Sequence, residues 1–249
     1  MFAAAIVVFR ETLEAALLIG IVGAATRGIP GRSNWIAGGA LAGGAGAAMV
    51  AALTGHISGL FDGVGQELFN AAILGVAVIL LAWHNVWMSA HAAQLAAAAR
   101  QVGNEVGDGR RQLSAILVVV TVAVLREGSE SVLFLYGLMA GGEVDVPAVA
   151  GGGVLGVLAG GTLGLVLYAG MLRIPLRWFF SVTGALILLL AAAMASQLAK
   201  FLIQADVLPS LRSPLWDTSA ALSDRSPLGT LMRALAGYDA TPTGMQVLF

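Results

Sequence analysis

Two stretches decide how this chain folds: Val8-Phe9-Arg10-Glu11-Thr12-Leu13-Glu14-Ala15 and Val124-Leu125-Arg126-Glu127-Gly128-Ser129-Glu130-Ser131. Each carries Arg-Glu-x-x-Glu inside an otherwise apolar run. On a helix, Arg10 and Glu14 are i,i+4 neighbours and Glu11 lies i+3 from Glu14, so all three share one face. The same holds for Arg126, Glu127 and Glu130. An ionisable residue at the centre of a membrane helix costs about 2.5–3.5 kcal/mol, so six left unpaired would cost roughly 15–20 kcal/mol, as much as a domain's whole net stability. The six side chains must therefore face one another inside a bundle.

The surrounding sequence places both motifs in a membrane. Of 249 residues, 58% are apolar and 11% charged, against about 25% charged in soluble domains. This excludes a soluble enzyme and a nucleic-acid binder. Lys+Arg is 13 and Asp+Glu 14, giving no electrostatic hint of a partner. With no Cys, there are no disulfides, thiolate metal sites or Cys nucleophiles. No nucleophile–base set or phosphate loop is visible, so no enzyme is read. Met1–Phe9 lacks the basic start of a cleavable signal peptide.

A helical span needs about 20 apolar residues. Residues 33–61 and 146–172 carry no formal charge, nor do 68–99 or 178–199. With the two motif-bearing runs this gives six spans, near 2–26, 35–58, 68–91, 112–140, 147–172 and 177–202. An outer loop, 204–240, follows. Within it the caps around Asp217 and Asp224 bracket Ala220, Ala221 and Leu222, read as a short amphipathic helix on the membrane. Thr241-Pro242 reads as N-cap and N1 of a seventh span that stops at Phe249 after about two turns, a truncated helix.

Basic residues set the orientation. Arg27 and Arg32, then Arg100, Arg110 and Arg111, then Arg173 and Arg177 occupy alternate loops. Asp62, Glu67, Glu143 and Asp145 occupy the others. The N-terminus is therefore expected outside.

The chain also repeats. Arg126 follows Arg10 by 116 residues, and that offset superposes Val8 on Val124, Glu11 on Glu127, Glu14 on Glu130 and Leu17 on Leu133. Each unit, 1–110 and 111–203, holds an odd number of spans, so the second copy must be inverted. The expected fold is all-α: a polytopic transmembrane helical bundle of two inverted three-helix repeats plus the truncated seventh helix. Transporters built this way hold substrate near the midplane between the repeats.

Counting 1.5 Å per residue puts both motifs about 15–20 Å below the outer face. Four carboxylates and two guanidiniums leave a formal charge of about −2, which invites a cation, and carboxylate oxygens suit hard ions or iron. The plain alternative is a pair of Arg–Glu clamps between spans one and four. Buried ion pairs stabilise poorly compared with apolar packing, and two copies each with a surplus Glu argue against it.

Two Arg-Glu-x-x-Glu motifs in the first and fourth spans of a seven-span plan resemble the high-affinity iron permease family, which spans fungal oxidase-dependent and bacterial EfeU-type permeases. The likeness covers nearly the whole chain, with Thr12 departing from a Gly common in the family. It implies a multi-pass inner (plasma) membrane protein that takes up iron. Glu11, Glu14, Glu127 and Glu130 would handle the metal, with Arg10 and Arg126 as motif partners. It implies iron as transported substrate rather than a prosthetic group, and periplasmic iron-binding or iron-oxidising partners. Other readings stay open: a carrier of another divalent metal such as Mn or Pb, or a non-transporting membrane subunit clamped by Arg–Glu pairs.

Weaker features complete the reading. His84, Met88 and His91 lie at i, i+4, i+7 on span three, either a polar stripe toward the cytoplasmic exit or interfacial anchors with Trp87. Asp217 and Asp224 are candidate outer metal-receiving acids. Lys200 is expected to snorkel to the headgroups. Small residues at every fourth position (Gly39, Gly43, Ala47, Ala51, Gly55; Gly152, Gly156, Gly160, Gly164) are expected to let helices approach closely.

Overall fold

The computed structural model describes residues 1–59, 66–141, 145–170, 176–223 and 226–249, and among them there is helix but no strand. The helices are α1 (Phe2–Ala25), α2 (Arg32–Gly59), α3 (Gln66–Gly107), α4 (Ser114–Ala140), α5 (Val146–Tyr168), α6 (Leu176–Gln204), α7 (Pro227–Ala236) and α8 (Gly244–Leu248). Segments of α2, α3, α5 and α6 are long and apolar enough to cross a membrane: Arg32–His56, Glu67–Met88, Val146–Tyr168 and Phe180–Gln204. α1 and α4, of 24 and 27 residues, are each about 36–40 Å long and match a hydrocarbon core of about 30 Å, but carry the motif charges.

Burial is inverted relative to a soluble protein. Arg10, Glu11, Glu14, His84 and Glu127 are buried, whereas Leu41, Met49, Ile79, Trp83, Val122, Leu158 and Leu165 face outward. An apolar exterior around a charged centre is what a hydrocarbon solvent selects.

The helices pair as α1 with α5, α2 with α4, and α3 with α6, while α1 and α4 also meet each other and α3. The small-residue stripes make the first two seams. A Cβ on Gly156 would lie 2.8 Å from the Ala5 carbonyl oxygen and the Phe9 nitrogen. A Cβ on Gly43 would lie 2.8 Å from the Thr121 carbonyl oxygen and 2.9 Å from the Leu125 nitrogen. Only glycine allows backbones this close, so these residues fix how near α5 and α2 come to the two motif helices.

Two apolar clusters cap the bundle. At the end where α1 begins, Ala3, Val7, Leu74, Leu81, Phe134, Ile187, Leu190 and Met194 pack together. At the opposite end Val22, Ala99, Val106, Ile116 and Val120 do so.

Beyond the span expected at 68–91, α3 runs on to Gly107, 42 residues in all, because Ala92–Arg100 is rich in alanine and holds no helix breaker. The structure corrects three expectations. Ala220 and Ala221 form a turn, and the short helix starts later, at α7, where Ser226 as N-cap accepts a hydrogen bond from the Gly229 N–H at 2.9 Å. The last helix begins two residues beyond Thr241. Its N-cap is Thr243, which accepts from the Gln246 N–H (3.3 Å) while the Thr243 N–H donates to Gln246 Oε1 (2.8 Å). This reciprocal box outweighs the Thr-Pro signal. Lys200 does not reach outward for headgroups; its Nζ donates to Asp239 Oδ2 at 2.7 Å. Asp62, Glu143 and Asp224 lie outside the described residues.

Candidate metal centre

Both motifs sit where their helices cross. Near the middle of α1, Arg10 Nε lies 3.0 Å from Glu14 Oε1, and Nη1 lies 3.5 Å from Glu11 Oε1. On α4, Arg126 Nε lies 3.1 Å from Glu130 Oε1 and 3.9 Å from Glu127 Oε1. The i,i+4 spacing thus makes an Arg–Glu pair in each motif and leaves Glu11 and Glu127 less neutralised. The copies differ in depth within the bundle. The Arg10 and Glu14 side chains are 4% exposed, whereas Arg126 and Glu130 are 29% and 23% exposed. Arg126 spends its outer face on α3: its guanidinium stacks 4.5 Å from the Trp87 ring and Nη2 donates to Met88 Sδ at 3.7 Å.

The two motifs converge. One ligand atom each from Glu11, Glu127, Glu130 and His84 lies within 4.8 Å of the other three. Glu14, held by Arg10, borders this group, its Oε2 3.8 Å from His84 Nε2. His84 Nε2 is also 3.5 Å from Glu11 Oε2, and Nδ1 contacts Glu130 Oε2. Glu11 Oε2, Glu14 Oε2 and both Glu127 oxygens are buried without a hydrogen bond among the described residues. Buried acceptors are normally satisfied, so a set of such oxygens facing one space marks residues that could hold a cation.

A cavity of about 870 Å3 reaches Glu11 and Glu127 from the gap between α2 and α5. Thr12 and Ser131 add hydroxyls next to the two glutamates, while Arg32 and Tyr168 line its far end.

The structure brings Glu11, Glu127 and Glu130 together with Glu14 beside them, whereas the sequence reading sets His84 on an exit path. Instead its ring reaches the cluster. The available signal was a histidine within an uncharged span, which needs a polar partner. His91 stays outside the cluster, its Nδ1 2.9 Å from the Trp87 carbonyl oxygen and its ring stacked on Trp87 at 4.6 Å. Met88 Sδ accepts from Arg126 Nη2. Asp217 is exposed in the 204–240 segment, where the Ser219 hydroxyl and N–H both bond its carboxylate and hold its pKa below the ordinary value.

Comparison with known proteins gives the family. The Iron permease FTR1 family matches residues 1–249. The chain is 32% identical to the ferrous iron permease EfeU of Escherichia coli O6:H1 over 255 residues, 99% of this chain and 90% of that protein. It is 31% identical over 254 residues to the ferrous iron permeases EfeU of Shigella sonnei and of Yersinia pestis, covering 99% of this chain and 90% and 88% of theirs. No solved structure matches.

Proposed function

This chain belongs to the iron permease FTR1 family, and we propose that it carries ferrous iron across the membrane through a midplane site formed by Glu11, Glu14, Glu127 and Glu130. The convergence of Glu11, Glu127 and Glu130 from two helices into one buried group is the observation that carries the reading. Four carboxylates against Arg10 and Arg126 leave about −2, which a divalent cation neutralises. The relatives named as ferrous iron permeases support that oxidation state. Arg10 and Arg126 orient the carboxylates while the site is empty, and yield part of that pairing when the metal arrives. Apolar clusters flank the site toward both ends of the bundle, and the cavity between α2 and α5 gives Glu11 and Glu127 a lateral approach.

The two units, 1–110 and 111–203, act as inverted repeats with the N-terminus outside. Matched seams support this. A Cβ on Gly156 meets Val8 Cβ at 2.8 Å, and one on Gly43 meets Val124 Cβ at 2.7 Å. Val8 and Val124 are the residues that the motif alignment superposes. Family membership and the positive loops at alternate ends support insertion in the inner membrane. Iron-binding or iron-oxidising proteins outside it are the expected partners.

Radioactive iron uptake into cells tests the reading. Glu14→Ala and Glu130→Ala should insert normally and lose uptake. Normal uptake in both would remove the carboxylate site. A panel of competing metals separates iron from manganese or lead as cargo.

A further inference from the structure

We propose that His84 is a ligand of this same site and that its imidazole nitrogen makes the site favour a first-row divalent ion such as ferrous iron over magnesium and calcium. The inference rests on the transport reading above and adds a donor that the two motifs do not contain.

Three observations carry it. First, His84 comes from α3, outside both motif helices, yet its ring lies between the two motifs. Nε2 faces Glu11 and Glu14 at 3.5 and 3.8 Å, and Nδ1 contacts Glu130. Second, the ring is 4% exposed, and Nε2, the nitrogen facing Glu11 and Glu14, makes no hydrogen bond of normal geometry among the described residues. A buried imidazole kept only for packing would be expected to find such a partner. Third, the ring orientation is fixed. Phe134 meets it edge-on with centroids 6.4 Å apart. Contact of one ring nitrogen with Glu130 turns the other toward Glu11, the carboxylate–histidine arrangement that orients a metal-binding imidazole.

The chemistry follows from the donor set. Ligands about 2.0–2.2 Å from one ion are at most about 4.4 Å apart, so the present 4.8 Å grouping needs only a slight contraction to close on a cation. With oxygen donors alone, such a site suits magnesium, calcium or manganese. One neutral imidazole nitrogen shifts it toward iron, cobalt and zinc.

The test uses the purified full chain in detergent, with Mn2+ and Co2+ as probes. Pulsed EPR on bound Mn2+ should detect nitrogen coupling in the wild type and in His91→Gln, and none in His84→Gln. Co2+ binding by calorimetry should weaken roughly tenfold or more in His84→Gln, a loss of about 1.4 kcal/mol or more. Mg2+ should also compete with Co2+ better in that variant than in the wild type. Mn2+ bound to the wild type without nitrogen coupling would overturn the ligand role while leaving the carboxylate site standing, and needs no variant to fold. Unchanged Co2+ affinity and Mg2+ competition in His84→Gln would overturn the selectivity. Failure of the wild type to bind either probe would instead remove the carboxylate site and this inference with it.

Discussion

The neighbouring residues Gly43 and Gly44 offer a sharp test of the seam that positions the second motif. An alanine Cβ at Gly43 would lie 2.7 Å from Val124 Cβ, 2.8 Å from the Thr121 carbonyl oxygen and 2.9 Å from the Leu125 nitrogen. At Gly44 it would meet nothing within 4 Å. Ordinary contact begins at 3.4 Å, so Gly43→Ala forces α2 and α4 apart by roughly 0.5 Å or more, against atoms that are backbone or a stiff branched carbon. Overpacking of this kind costs about 1–3 kcal/mol. Both variants gain the same helix propensity over glycine, up to about 1 kcal/mol, so their difference isolates the clash. Thermal unfolding of purified protein in detergent should put Gly43→Ala below Gly44→Ala by about 2–4 °C for each kcal/mol. Because Val124 lies next to the motif on α4, Gly43→Ala should also lower iron uptake while Gly44→Ala leaves it intact. Equal stability of the two variants would mean that α2 and α4 do not meet along this face. On the other seam, Gly156→Ala and Gly161→Ala repeat the comparison, since a Cβ at Gly161 meets nothing within 4 Å.

Further outcomes follow from the ion pairs and caps. Arg10→Met leaves Glu11 and Glu14 buried without their cation and should destabilise by about 3–5 kcal/mol, whereas Arg126→Met, whose pair is partly exposed, should cost clearly less; denaturation of both variants compares them. Burial alone would raise the Asp239 carboxyl, but Lys200 at 2.7 Å and the Thr241 N–H outweigh it and hold it below its ordinary 3.8. A depressed carboxyl contributes stability above its unfolded pKa and loses it as pH falls through the folded one. The Asp239 contribution to unfolding temperature should therefore be flat from neutral pH to about 4 and fall below that, and Lys200→Met should weaken that dependence. Thr243→Ala removes the cap of α8 and should cost about 1 kcal/mol, read as earlier proteolysis of the last residues.

Much of the centre was legible because charge inside apolar sequence is conspicuous. Arg10, Glu11, Glu14 and their counterparts had no energetic alternative to meeting one another, and helix geometry fixed which of them pair. The glycine stripes were equally visible, although their partners were not: a fourfold spacing marks a face without naming what covers it. His84 escaped for a physical reason. α3 continues unbroken from Gln66 to Gly107, so residue counting from a span end gave no depth for its side chains. Lys200 was misjudged because its partner Asp239 lies 39 residues away, beyond a segment with no periodic pattern. The start of α8 went to the wrong threonine because Thr-Pro and Thr-x-x-Gln overlap there, and only the second satisfies two backbone donors' worth of capping with both side chains.

The site lies between two apolar clusters built from the same helices, and this restricts what has to move. Ala3 and Val7 of α1, Phe134 of α4 and Leu74 and Leu81 of α3 belong to one plug. Val22 of α1, Ile116 and Val120 of α4 and Ala99 and Val106 of α3 belong to the other. Each motif helix is in turn locked along its length to a glycine-bearing partner, α1 to α5 and α4 to α2, at backbone contact distance. Such seams interdigitate and resist sliding. Where α3 meets the pair, close glycine contacts are fewer: a Cβ on Gly103 of α3 would lie 2.5 Å from Ala25 Cβ of α1, and one on Gly137 of α4 would lie 2.6 Å from Ala77 Cβ of α3. His84 lies near the middle of the 42-residue α3, between the two plugs. On the transport reading proposed above, parting α3 from the pair at one end would open one apolar cluster, keep the other closed, and leave the histidine beside the carboxylates. Alternate exposure of a single buried site requires these three things together.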